Sequence, residues 1–161
     1  HNISIEVAFV VDDTLVRFYN KEAAETLTYS LPDSSKNCLH NTALGKAYLS
    51  ALPEDQMRDK VDGMTLIPKT EKTILDRDRL MSEVLAAKAR GYAMSVEEFL
   101  PGLLAIGAPL VDPHSGHGVG AVSFDFSVLQ NTAKDIQTKY GAMIVATAAA
   151  LAELLPPDRH T

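Results

Sequence analysis

The chain reads as an α+β domain built on an antiparallel sheet of about five or six strands. Three observations lead there. Val-, Ile- and Phe-rich segments with apolar and polar residues alternating open the sequence, helical periodicity fills the middle and the end, and two apolar runs flanking a Gly- and His-bearing loop lie between them.

Residues 3–11 and 15–19 flank Asp12-Asp13-Thr14, which predicts a hairpin of adjacent antiparallel strands. A third extended segment is predicted over residues 26–31, ended by the turn cluster Pro32-Asp33-Ser34-Ser35, and a loop then carries Cys38 and His40. Thr42 is suited to cap a helix whose Leu44, Ala47, Tyr48 and Ala51 fall on one face, and Pro53 with Glu54 and Asp55 opens a second short helix. Residues 64–73 read as irregular. A longer helix is predicted over residues 76–90, with acids early and Lys88 and Arg90 late, as the helix dipole favours, and Gly91 suits its left-handed stop. A strand, a turn and a second strand follow. Residues 102–111 are almost wholly apolar, as for a strand buried on both faces, with Gly102 and Gly107 where backbone can approach a neighbouring element or a small molecule. Across His114-Ser115-Gly116-His117-Gly118 this run pairs with residues 119–126, and the hairpin is expected at the centre of the sheet. Ile136, Tyr140, Met143, Ile144, Thr147 and Leu151 recur at helical spacing before Pro156-Pro157. Residues 1–156 are expected to form one domain and 157–161 a disordered tail.

The 161 residues suit a single globular unit. Cys38 is the only cysteine, so no internal disulfide forms, which fits a reducing compartment, and a cytoplasmic location is expected. No apolar run approaches the roughly 20 residues that span a bilayer. Fifteen Lys and Arg against 21 Asp and Glu give a net charge of −6, the wrong sign for a surface that neutralises phosphates. The opening His1-Asn2-Ile3-Ser4-Ile5 already alternates, and the chain is expected to be a piece of a longer protein.

Two blocks carry a resemblance. Leu39-His40-Asn41-Thr42-Ala43-Leu44-Gly45-Lys46-Ala47, followed by Gly91-Tyr92, Glu97-Glu98 and Gly102-Leu103, is similar in order and spacing to the effector-binding domain of the isocitrate lyase regulator (IclR) family of bacterial transcription regulators. The first 30 residues match in pattern only. The resemblance implies a GAF-like (profilin-like) fold that senses a small organic acid or related metabolite. It also implies a homodimer or homotetramer, and DNA bound only through a separate N-terminal winged helix-turn-helix domain that has no counterpart in these residues. Neither a cofactor nor a membrane is implied.

The helix start at Thr42 offers a physical reason for a ligand there. The N–H groups of Ala43, Leu44 and Gly45 and the positive end of the helix form an anion site wherever a carboxylate can approach, although Thr42 or water satisfies such groups equally well. The resemblance places the effector's carboxylate near Ala43 and Leu44. Ser95 stands where relatives carry a pocket aspartate, Leu103 matches an apolar wall residue, and Ala105 stands in place of a cysteine. Of two serines on the last strand, one is kept as Ser123 and the other is Asp125. Tyr29 aligns with an apolar patch that touches ligand in relatives. The expected effector site is therefore Tyr29, Thr42, Ala43, Leu44, Ser95, Leu103, Ala105, Ser123 and Asp125. Ala105 enlarges the pocket and Asp125, facing inward, would repel a second carboxylate. The effector is expected to be larger than glyoxylate and hydroxylated, amino-bearing or aromatic.

Other constellations carry less. Glu97 and Glu98 are neighbours whose side chains point apart, and a solvated loop is expected for them. Cys38 and His40 lack an orienting third group, and Asp112, His114 and His117 sit at a glycine-bearing hairpin tip. His40 is expected to bond a neighbouring carbonyl. No nucleophile, base and orienter share a usable spacing, so neither catalysis nor a metal site is expected. The leading reading is a sensor that acts by population shift. A dimerisation module with a vestigial pocket, its apolar edge on residues 142–152 or the first strand, and a small enzyme of the same fold are the alternatives.

Overall fold

The computed structural model describes residues 3–24 and 32–156. The strand predicted over residues 26–31, with Tyr29, and the tail predicted over residues 157–161 lie outside the described residues.

The opening hairpin forms from β1 (Ser4–Val11) and β2 (Thr14–Lys21). Its turn is made by Asp12 and Asp13 at φ 50° and 59°, the left-handed geometry that tight hairpins require and that aspartate tolerates. Ser34 and Ser35, expected within a turn, instead form β3 (Ser34–Ser35), paired with Val16 and Leu15. The outer edge of β2 presents unpaired backbone groups, and the returning chain satisfies them, aided by the Arg17 N–H to Asp33 carbonyl bond of 3.0 Å.

The helices follow as α1 (Ala43–Ser50), α2 (Glu54–Gly63) and α3 (Arg77–Arg90); the side chains of Thr42 and Asp76 cap α1 and α3, and Pro53 precedes α2 without a side-chain capping bond. Then come β4 (Ala93–Val96), β5 (Leu103–Val111), β6 (Gly118–Ser127) and α4 (Ala133–Ala152). The six strands lie in the order β3-β2-β1-β6-β5-β4, every pairing antiparallel. Of the late hairpin, only β6 is central. The opening hairpin docks on its free side through β1, and β5 lies one step outward, between β6 and the edge strand β4.

Side chains alternate across the sheet, and the two faces differ in character. Val7, Leu104, Ile106, Leu110, Val122 and Phe124 face α4 and pack with its Ile136, Ile144 and Ala148. The opposite face is small and polar: Glu6 and Ala8 on β1, Ala93 and Ser95 on β4, Ala105 and Gly107 on β5, and Ala121, Ser123 and Asp125 on β6. Helix α1 lies against this second face. At Gly107 a methyl group would sit 2.9 Å from the Ala43 carbonyl oxygen, so only glycine admits the helix so close. Because α3 packs on its outer side, α1 is buried nearly all round, Lys46 included, rather than on the single face its apolar spacing predicts.

Gly45 fixes the approach from the other direction. A Cβ there would lie 2.3 Å from Leu39 Cα, which is backbone and cannot step aside. Gly45→Ala is expected to cost at least the ~1–3 kcal/mol of overpacking. Gly63→Ala, with nothing within 4 Å of the new methyl group, is expected to be neutral or slightly stabilising. Urea unfolding of the two variants checks this, and equal midpoints would show that α1 has room to move.

Candidate functional site

Thr42 stands at the start of α1 in extended geometry, φ −121° and ψ 151°. Its hydroxyl accepts from the Gly45 N–H at 2.9 Å and donates to the Cys38 carbonyl at 2.6 Å. This removes Gly45 from the expected trio of free N–H groups. Ala43 and Leu44 keep N–H groups that the helix cannot satisfy, and no acidic side chain occupies the first turn to offset their charge.

Beneath that helix start lies a cavity of about 20 Å³. Thr42, Ala43, Leu44, Ser95, Leu103, Ala105, Ser123 and Asp125 line it, together with Glu6 and Phe99. Register explains the gathering. Ser95, Ala105 and Asp125 lie opposite one another across β4, β5 and β6, and Glu6 lies opposite Ser123 across β1 and β6, so both rows share the face under α1. Leu103 and Phe99 close the side at the turn between β4 and β5. Tyr29 lies outside the described residues.

Glu6 and Phe99 escaped the sequence reading. Glu6 is a charged residue between Ile5 and Val7, the pattern of a solvent-facing position. It is 4% exposed because α1 and its neighbours roof that face. Asp125 does face inward. Ser123 Oγ donates to its Oδ1 at 3.3 Å, while its Oδ2 is buried without a hydrogen-bond partner. Burial first, and then the charge of Glu6, push the Asp125 carboxyl well above the usual carboxylate range.

The Glu-Glu pair departs from expectation. Glu98 is not solvated: both its carboxylate oxygens accept from Lys46 Nζ, at 2.9 and 3.0 Å, and one also accepts the Val96 N–H at 3.0 Å. The Lys46 side chain is 1% exposed and that of Glu98 10%. Glu83 on α3 adds a third charge, 3.8 Å from Lys46 Nζ. Burial raises the Glu98 carboxyl above its ordinary range, against the pull of Lys46. Glu97 does point the other way, at φ 55°, pairing with Lys72 and accepting the Gly102 N–H at 3.0 Å. Thr70 and Thr73 donate to the Glu97 and Glu98 carbonyls at 2.5 and 2.6 Å. The turn that carries Phe99 is thereby tied to α1 and to the 70–73 loop.

The remaining constellations are structural. His40 Nε2 lies 3.0 Å from the Ile67 carbonyl, far away in sequence, and burial lowers its proton affinity. The Cys38 thiol donates to the Lys36 carbonyl and is pushed up by burial, the reverse of an activated nucleophile. Asp112 accepts the His114 N–H at 2.8 Å within its hairpin. Among the described residues no group of three or more His, Cys, Asp or Glu is placed to hold a metal.

A family model described as bacterial transcriptional regulator IclR C-terminal matches residues 4–153. The chain belongs to the IclR family and corresponds to its C-terminal domain. It is 28% identical over 142 residues to the HTH-type transcriptional regulator BhcR of Paracoccus denitrificans, covering 88% of this chain and 49% of BhcR. To KdgR of Escherichia coli it is 25% identical over 145 residues, covering 90% and 54%. The chain thus spans about half the length of these curated relatives. Among solved structures, the Thermotoga maritima IclR matches with a TM-score of 0.85 at 25% identity, covering 96% of this chain and 62% of that one. The inducer-binding domain of PobR from Acinetobacter, a double mutant in complex with 3-hydroxybenzoic acid, matches with a TM-score of 0.80 at 19% identity, covering 95% and 89%. The fold is the GAF-like fold of IclR C-terminal domains.

Removing one partner of a buried ion pair strands the other. Lys46→Met is expected to cost about 3–5 kcal/mol, and Lys46→Met with Glu98→Leu much less than the sum of the single changes. A double-mutant cycle by chemical unfolding measures this, and additive losses would mean the two charges do not depend on each other. Asp125 generates a pH signature. Its raised folded value means the native state holds a proton that the unfolded state has released, so this group's contribution to stability falls as pH rises above the ordinary carboxylate range. Asp125→Asn is expected to gain on the wild type as pH goes from about 4 to about 8, read from melting curves. A constant gap would contradict the assignment.

Proposed function

We propose that this chain is the effector-sensing and oligomerisation part of a transcription regulator, and that its effector occupies the cavity beneath the start of α1. One observation carries this. A helix start with uncountered N–H groups faces a buried, unpartnered carboxylate oxygen across a lined cavity, an arrangement that leaves polar groups for a small molecule to complete. Effector binding is assigned to Thr42, Ala43, Leu44, Ser95, Leu103, Ala105, Ser123 and Asp125, with Glu6 and Phe99 added, and Tyr29 remains a candidate from the sequence. The carboxylate of the ligand meets Ala43 and Leu44. A carboxylic, hydroxylated or aromatic acid fits this scheme, and the complex of PobR with 3-hydroxybenzoic acid lends the aromatic class support.

The cavity of about 20 Å³ holds little more than one water. An effector therefore enters by displacing the turn of residues 97–102, which bears Phe99. That turn is the one tied to Lys46, so entry strains a buried ion pair and favours whichever arrangement relieves it. The coupling is a shift between two states that bind the effector unequally.

The same proposal extends to the rest of the regulator. DNA binding belongs to a winged helix-turn-helix domain on the same polypeptide, since a chain of net charge −6 is a poor partner for phosphates. In this reading the domain pairs as a homodimer or a homotetramer, in the cytoplasm. Exposed apolar residues on β1 and β2, notably Val11, Val16 and Phe18, and on α4, Met143 and Val145, supply the surface. Catalysis is not part of the proposal.

The small cavity also suits a dimerisation module with a vestigial pocket. Thermal-shift screening against small carboxylic, aromatic, sugar and amino acids separates the two, with Ala105→Leu as the variant that fills the cavity. A ligand at 100 times its dissociation constant should add about 2.7 kcal/mol to the wild type and nothing to Ala105→Leu. No shift with any compound would leave the module reading, and a monomer at micromolar concentration would count against both.

A further inference from the structure

We infer that the effector is a small zwitterion, an amino acid whose carboxylate sits on the N–H groups of Ala43 and Leu44 and whose ammonium group sits on Asp125 beside Glu6. This rests on the cavity being the effector site and names the chemistry it selects.

The two ends of the cavity differ in sign. At one end is the helix start, with no acid in the first turn of α1. At the other is Asp125, 8% exposed, its Oδ2 buried and unpartnered, with Glu6 also lining the space. No lysine or arginine is among the described residues that line the cavity. Lys46 is engaged by Glu98 and Glu83. A dicarboxylate would set like charge against Asp125. A hydroxyl group would satisfy Oδ2 but would bring no positive charge to Asp125. An ammonium group supplies three donors and the missing charge together.

Ala43 lies over Gly107, while Asp125 lies opposite Ala105, the next residue along β5 on the same face, so the helix start and the carboxylate are neighbours on the face under α1. Ser123 and Ser95 hydroxyls flank the path.

Binding also moves a proton. The groups facing Asp125 are Glu6 from β1, Ser123 on its own strand and Ala105 from β5, with no charge from α1. Where Asp125 carries its proton in the free protein, the arriving ammonium ion forms an ion pair with the carboxylate and that proton leaves for solvent, which balances the charge.

The test is titration calorimetry of the full chain with matched triplets: L-alanine, lactate and pyruvate, then L-phenylalanine, phenyllactate and phenylpyruvate. The amino acid of a set is expected to bind at least about tenfold tighter than its hydroxy and oxo counterparts. Its heat should depend on the ionisation enthalpy of the buffer, as proton release requires, and Asp125→Asn should weaken it by a similar factor without weakening the oxoacid. A hydroxy- or oxoacid that binds as tightly as the amino acid, and is blocked by Ala105→Leu, overturns the zwitterion and leaves the sensor. Unchanged amino-acid affinity in Asp125→Asn overturns it too. Should no acid of any class bind, both readings fall. The buffer dependence is read on the wild type alone, so the inference stays testable if the variant does not fold.

Discussion

The close seating of α1 on the sheet is the constraint from which the other features follow. Gly45 lets the helix pass over the backbone of Leu39, and Gly107 lets it descend onto β5, so a polar-ended helix lies on a face otherwise made of alanine, serine and carboxylates. A larger residue at either position would lift the helix and open the face to water. Proximity then creates two problems at once: a lysine in the middle of the buried helix, and a helix start aimed into a small cavity.

The two problems are resolved differently. Lys46 is neutralised within the chain by Glu98, whose carboxylate is also held by a backbone N–H, so desolvation is offset by charge and hydrogen bonds together. Among the described residues Asp125 has only the Ser123 hydroxyl, its Oδ2 is unpartnered, and burial beside a second acid favours its protonated form. A fold that satisfies one buried carboxylate so fully and leaves another incomplete has placed the deficit where a ligand can meet it. The turn between β4 and β5 joins the two, because Glu98 anchors it and Phe99, next in sequence, walls the cavity.

Local features were readable from residues alone. The aspartate turn of the first hairpin, the cap at Thr42, the stop at Gly91 and the late apolar hairpin all depend on interactions within a few residues, and the structure has them where the pattern put them. Ser34 and Ser35 became a strand because β2 offered them an unpaired edge, which no local rule contains. The same limit applied to Glu98, read as solvated, and to Glu6, which no reading of the sequence assigned to a site. Each lies in a segment whose own pattern is unremarkable and is buried by an element distant in sequence.

The amino-acid sequence by itself determined the class of fold, the positions of most helices and strands, and the family, through motifs at residues 39–47 and 91–112. Those depend on turn chemistry, capping and side-chain periodicity, which are written over a few residues. The tertiary structure decided which strand took the centre of the sheet, how deeply Lys46 was buried, which carboxylate found a partner and which did not, and that Glu6 belonged to the cavity. Strand register and helix docking made those choices, because they bring into contact residues that no spacing rule connects, and burial then changes what a charge costs.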